Sequence, residues 1–269
     1  IAFEPYYDSY AASIAMAGGV RVPVTLRAPD FRPDLDALRD AMSPRTRLLL
    51  INTPHNPTGM VLSGDEAAAI AALAVEHDLL VVTDEVYEHL VFDGDHIPLA
   101  GLPGMRERTV SISSAGKTFS FTGWKVGWVT ASPELITAVR TAKQYLTFVS
   151  AGPFQYAVAE ALGLPDDYYR EFNAGLRHKR DLLSEGLTAA GFEVFRPQGT
   201  YFVSADIRRF GDDGIQFCRE LPLRCDVVAV PNAVFYDDPD VGRRHVRFAF
   251  CKREAVLREA VDKLKTLAS

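Results

Sequence analysis

The chain has 269 residues, 29 of them basic and 35 acidic, for a formal net charge of −6; 48% are hydrophobic and 24% charged. Such a chain is too apolar to be disordered, and it is long enough for one large domain or two smaller ones. The acidic balance offers no general attraction to phosphate backbones, which excludes nucleic acid as an expected partner. No apolar run approaches the ~18–20 residues of a membrane span and no signal-like segment opens the chain, so no membrane partner is expected and the expected address is cytoplasmic.

In chain order, apolar runs of strand length alternate with amphipathic stretches. Residues 20–26, 48–51, 79–83, 109–112 and 126–130 read as strands, and 35–42, 64–77 and 133–145 as helices between them. The runs are rich in Val, Leu and Ile without polar alternation, so both faces are expected to be buried. That implies an α/β fold with a mostly parallel sheet covered by helices. Residues 151–162 read as a further helix. The character then changes at Gly163-Leu164-Pro165-Asp166-Asp167.

Residues 168–190 read as one long, charge-rich helix. Strand-like runs at 192–195, 201–205, 227–230 and 246–250 follow, and a helix over 253–267 closes the chain. The expected organisation is a large domain over 1–166 and a smaller α+β domain over 167–269, with ligand held in the cleft between them. Cys218, Cys225 and Cys251 form no CxxC or Cys/His cluster, so they read as small core residues rather than a disulfide framework or a zinc site.

Three polar loops follow three consecutive strands, where doubly wound sheets bind ligands. The first, Asn52-Thr53-Pro54-His55-Asn56-Pro57-Thr58-Gly59, is a proline-stiffened turn that presents the Asn56 amide. In the second, Asp84-Glu85-Val86-Tyr87, a carboxylate ends a buried strand and requires a cation or strong donor opposite it. Glu85 and His89 could share a helix face as metal ligands, but no third ligand accompanies them, so no metal is expected.

The third loop is Ser113-Ser114-Ala115-Gly116-Lys117-Thr118-Phe119, continuing through Gly123-Trp124-Lys125-Val126-Gly127-Trp128. It places two of the chain's seven lysines in an apolar, glycine-rich setting, and burial lowers an amine's pKa toward nucleophilic use. Gly116-Lys117-Thr118 also mimics the end of a phosphate-binding P-loop. The glycine that loop requires five positions earlier is Ser111, which argues against nucleotide hydrolysis.

With Arg247-Phe248-Ala249-Phe250 added, these motifs stand in the order and spacing of the class I/II aminotransferases of fold type I, which use pyridoxal phosphate (PLP). The resemblance covers essentially the whole chain. Within that family it is most similar to N-succinyldiaminopimelate aminotransferases and kynurenine/glutamine transaminases. It implies that Lys117 binds the cofactor aldehyde and then acts as the base at Cα. It also implies that Asp84 pairs with the ring nitrogen, Asn56 and Tyr87 bond the ring's 3-oxygen, and Ser114 and Lys125 hold the phosphate. The family often has arginine in place of Lys125. Tyr6 matches the aromatic that stacks on the ring, with Tyr7 adjacent, and Arg247, with Asn56, would bind the substrate α-carboxylate. Trp124 and Trp128 read as core packing rather than a substrate cage.

The implied activity is a ping-pong transamination to an oxo acid, 2-oxoglutarate by expectation. Residues 145–149 and 231–238 mix aromatic and apolar side chains with few charges, which fits a long or aromatic donor better than aspartate. The resemblance of the segment after the lysine loop, including 145–155, to the N-succinyldiaminopimelate enzymes makes N-succinyl-LL-2,6-diaminopimelate the expected donor. Kynurenine, glutamine or methionine transamination and cysteine-conjugate β-elimination are alternatives within the cofactor's chemistry. The non-enzymatic alternative is the ligand-sensing half of a transcription regulator. The resemblance further implies a homodimer. It also implies that the chain is most of a larger enzyme: Phe3-Glu4-Pro5 belongs inside the large domain, after an N-terminal arm and a glycine turn for the phosphate, so the 269-residue form alone is expected to bind PLP weakly.

Overall fold

In the computed structural model, which describes residues 1–268, two sheets divide the strands. The first contains β1 (Ala2–Glu4), β2 (Pro23–Thr25), β3 (Leu48–Asn52), β4 (Leu80–Asp84), β5 (Thr109–Ser114) and β6 (Gly127–Thr130), in the order β2-β1-β3-β4-β5-β6. Neighbours from β2 to β5 are parallel and only the edge strand β6 is antiparallel, as the unalternating apolar runs imply. Helices α1 (Ser9–Met16), α2 (Leu35–Asp40) and α3 (Gly64–Glu76) lie between these strands in sequence. A capping box starts α3: the Ser63 side chain accepts from Glu66 N–H while the Glu66 carboxylate accepts from Ser63 N–H. Its buried face is Ala67, Ile70, Ala71, Leu73 and Ala74, the spacing of a helix packed on a core.

The short helix α4 (Ala115–Thr118) leaves β5 directly, and α5 (Pro133–Leu146) and α6 (Gly152–Ala161) follow β6. Then come α7 (Asp166–Ala189) and the second sheet, formed by β7 (Glu193–Phe195), β8 (Phe202–Asp206), β9 (Val230–Pro231) and β10 (His245–Ala249) in the order β7-β8-β10-β9. This sheet is antiparallel throughout. Helix α8 (Gly214–Cys225) connects β8 to β9, and α9 (Glu254–Lys265) packs along α7. The two helices approach closely: a Cβ on Gly186 would lie 2.2 Å from Val261 Cγ2.

Several elements differ from expectation. β1 and α1 precede the first expected strand, which itself shrinks to three residues, and α8 falls where no helix is expected. Pro222 sits inside α8 and hides its helical pattern, although Asp213 caps its start by accepting from Ile215 N–H and Gln216 N–H. Cys225 is buried and Cys218 partly so, whereas Cys251 is exposed rather than a core residue. The cores also cross residue 166. Tyr87, Leu90 and Phe92, which follow β4, pack with α7 and the second sheet, while Phe195 of β7 packs under the first.

Candidate active site

Parallel register assembles the site. Asn52 pairs with Asp84 and Asp84 with Ile112, so the loops after β3, β4 and β5 leave from one edge of the sheet. The Asn52 amide donates to the Asp84 carbonyl at 2.8 Å and accepts from Asn56 N–H at 2.7 Å, which ties the first loop to the second. Gly59 ends that turn with a φ of +75°. A Cβ there would come within 2.2 Å of Pro197 Cβ, so only glycine lets the turn meet the segment before β8.

Lys117 lies in α4, half-buried, and its Nζ donates to the Tyr201 hydroxyl at 3.1 Å. The same amine stands 5.9 Å from the Tyr87 ring centre and 5.7 Å from that of Tyr201. The two rings meet edge to face at 5.3 Å. Tyr87 is buried, and burial together with the Tyr201 neighbour pushes its hydroxyl pKa well up, so it is a proton donor at neutral pH.

Asp84 is bonded by the Tyr10 hydroxyl on Oδ2 and by Val86 N–H on Oδ1 at 3.3 Å. Burial pushes its carboxyl pKa up; those two bonds and the charge of Lys117 oppose the rise. The strong donor that a carboxylate at a strand end requires is therefore Tyr10, which the sequence reading did not single out.

Arg247, on β10, comes from the second sheet. Its Nη1 donates to Asn56 Oδ1 at 2.6 Å, and its guanidinium lies between two rings, 4.0 Å from the centre of Phe202 and 4.8 Å from that of Phe235. Burial lowers its pKa, with Tyr87, Tyr201 and Asp8 near enough to oppose this. No carboxylate pairs with it among the described residues, and the Asn56 Nδ2 amide likewise has no partner there. A desolvated guanidinium without a counter-ion is a receptor for an anion.

Ser114 caps α4 with no side-chain bond to the helix, and Lys125 is exposed on a left-handed backbone. Trp124 stacks on Phe154 and Trp128 packs beside Ala115 and Phe119, so both serve packing.

Tyr6 is placed differently from expectation. It is buried, its hydroxyl donates to Asp237 and its ring lies 5.1 Å beneath the Arg21 guanidinium. Those contacts occupy the hydroxyl and one face of the ring, and with Tyr6 only 6% exposed little surface is left for a cofactor to stack on. Tyr7, next in the chain, is the exposed aromatic.

Glu85 is not aimed at His89. Burial alone would push its carboxyl pKa up, but bonds from His96 at 2.7 Å, from Thr83 and from Ser111 at 3.0 Å hold it below the usual range. Glu85, Glu88 and His96 offer ligand atoms within 4.8 Å of one another, a grouping that the sequence spacing does not reveal.

Residues 1–264 match the family model for aminotransferase class I and II. In structure the chain is similar to N-succinyldiaminopimelate aminotransferase from Mycobacterium tuberculosis, with a TM-score of 0.96 and 53% identity, covering 99% of this chain and 70% of that one. In sequence it is 38% identical to methionine aminotransferase of Escherichia coli, across 99% of this chain and 69% of that protein. It is 35% identical to kynurenine–oxoglutarate transaminase 1 of Homo sapiens, across 98% of this chain and 71% of that protein.

Proposed function

The chain belongs to the class I and II aminotransferases, which are PLP-dependent, and from that premise we propose how its own residues carry out amino-group transfer and on what substrate. The observation that carries the reading is the meeting of a half-buried lysine amine and a half-buried strand-end carboxylate at one sheet edge with a largely desolvated arginine from the second sheet, which bonds Asn56 and has no carboxylate partner among the described residues. The donor set fits PLP: an amine for the aldehyde, an acid for the ring nitrogen, an amide and a phenol for the 3-oxygen, and a hydroxyl and an ammonium for the phosphate. Those groups are Lys117, Asp84, Asn56, Tyr87, Ser114 and Lys125, with Tyr7 rather than Tyr6 as the aromatic against the ring.

The bound cofactor supplies a sink for the electron pair left when the Cα–H bond breaks. Arg247 grips the substrate α-carboxylate through the N–H groups that Asn56 does not use. Phe202 and Phe235 exclude water from that ion pair and so strengthen it. Lys117 Nζ is placed to take the substrate Cα proton, and the Tyr201 hydroxyl holds the amine in line for that transfer. Asp84, fixed by Tyr10, would pair with the cofactor's ring nitrogen and favour its protonated form.

The proposed reaction is ping-pong, with 2-oxoglutarate as acceptor and N-succinyl-LL-2,6-diaminopimelate as donor. The 53% identity to the mycobacterial enzyme supports this donor. Residues 1–166 would then carry the cofactor and 167–269 the substrate arginine, in a cytoplasmic homodimer. No helix among the described residues is long and apolar enough to cross a membrane. Coupled assays with that donor, kynurenine, methionine and glutamine should give the highest kcat/KM for the first. No turnover of the first would overturn the substrate assignment.

A further inference from the structure

The contacts that take Tyr6 away from the cofactor converge on Asp237. Its carboxylate accepts from the Tyr6 hydroxyl and from both Nη2 and Nε of Arg21, at 2.6 and 3.2 Å. Its backbone N–H donates to Glu4 Oε2 at 2.8 Å, and Glu4 Oε1 accepts from Thr25 at 2.7 Å. Two residues earlier, the Phe235 carbonyl accepts from Tyr6 N–H at 2.9 Å. The other end of the same segment is tied through Asn232, which donates to Ser204 Oγ at 3.1 Å, and Ser204 reaches the Pro57 carbonyl at 3.4 Å. A short 3-10 helix, Asn232–Phe235, is thus fastened at both ends to the loops of the first sheet. It presents Phe235 to the Arg247 guanidinium.

We propose that Tyr6, Arg21 and Asp237 form a latch that holds the 232–237 segment against the end of β1 and so positions Phe235 on Arg247, which makes all three positioning residues for the substrate carboxylate. The inference rests on the aminotransferase reading above. The Arg21–Asp237 pair is about a quarter to a third exposed, so its contribution to global stability is small. Its role is local. Bidentate geometry and the Tyr6 hydroxyl select one placement of the segment, and a desolvated arginine is sensitive to the placement of the ring that covers it.

The test is steady-state kinetics of the holoenzyme with N-succinyl-LL-2,6-diaminopimelate and 2-oxoglutarate, for the wild type, Asp237→Asn, Arg21→Gln, their double variant and Tyr6→Phe. Because both substrates place a carboxylate on Arg247, each single change at the ion pair should raise both KM values roughly five- to tenfold while kcat stays within about twofold. The double variant should be no worse than either single one, because the two side chains act as a unit. Tyr6→Phe, which keeps the ring and the fold, should shift KM the same way by less. Unchanged KM values, or single effects that multiply in the double variant, would overturn the latch while leaving the functional reading intact. Absence of turnover by the wild type with this donor and with kynurenine, methionine and glutamine would overturn that reading, and the latch with it.

Discussion

Asp84 carries a charge in a place that opposes it, and its neighbours decide the outcome. Burial raises its pKa, and the Tyr10 hydroxyl is the first of the groups that bring it back. Tyr10→Phe removes a bond to the ionised form, so the folded-state pKa rises further and the carboxylate ionises only at higher pH. The acid limb of the kcat/KM profile should therefore move upward, with roughly a tenfold loss at the acid end, the worth of one hydrogen bond to a charged group. A profile that superimposes on the wild type would contradict this. Asp84 is legible in the sequence because a carboxylate ending an apolar run demands a partner. Tyr10 is not, because nothing in Tyr10-Ala11-Ala12-Ser13 marks a hydroxyl that meets a side chain 74 positions on. Tyr201 escapes for the same reason, although a tyrosine opening a buried strand needs a bond for its hydroxyl. Tyr6 and Tyr7 are adjacent and chemically alike, and only their packing separates them.

At the scale of elements, periodicity finds β3, β4, β5, α3 and α7, whose lengths exceed the repeat that reveals them. It fails for β1, whose three buried residues are too few to show a pattern, and for α8, whose apolar stripe is broken by Pro222. The turn over 52–59 reads in the sequence as stiff, but the sequence does not show what it packs against. Gly59 meets Pro197 and the Gly199 carbonyl, so Gly59→Ala meets both an unfavourable φ and a clash with the segment between β7 and β8. It should cost about 2–4 kcal/mol in denaturant unfolding, and it should raise KM through Asn56, which shares the turn with Arg247's bond. Wild-type stability in that variant would show that the contact relaxes freely.

For the whole molecule, the expected boundary at 166 describes the two sheets better than the two cores, since Tyr87, Leu90 and Phe92 cross one way and Phe195 the other. That interleaving lets residues more than 100 positions apart, such as Asn56 and Arg247, share one site. One surface stands apart: α5 buries none of its residues, and Tyr145, Leu146, Phe148, Val149 and Tyr156 around its end are exposed. An apolar strip of this kind fits a second copy of the chain. Light scattering on a sizing column should give a dimer for the wild type, and Phe148→Asp with Tyr156→Asp should shift it toward monomer. A monomeric wild type would contradict the dimer. The central claim, however, is that Lys117 rather than Lys125 or any surface lysine carries the cofactor. Borohydride reduction of the holoenzyme followed by peptide mass spectrometry locates the attached group directly. The group is expected on the peptide containing Lys117, and finding it on any other lysine, or nowhere, would contradict the assignment of the site.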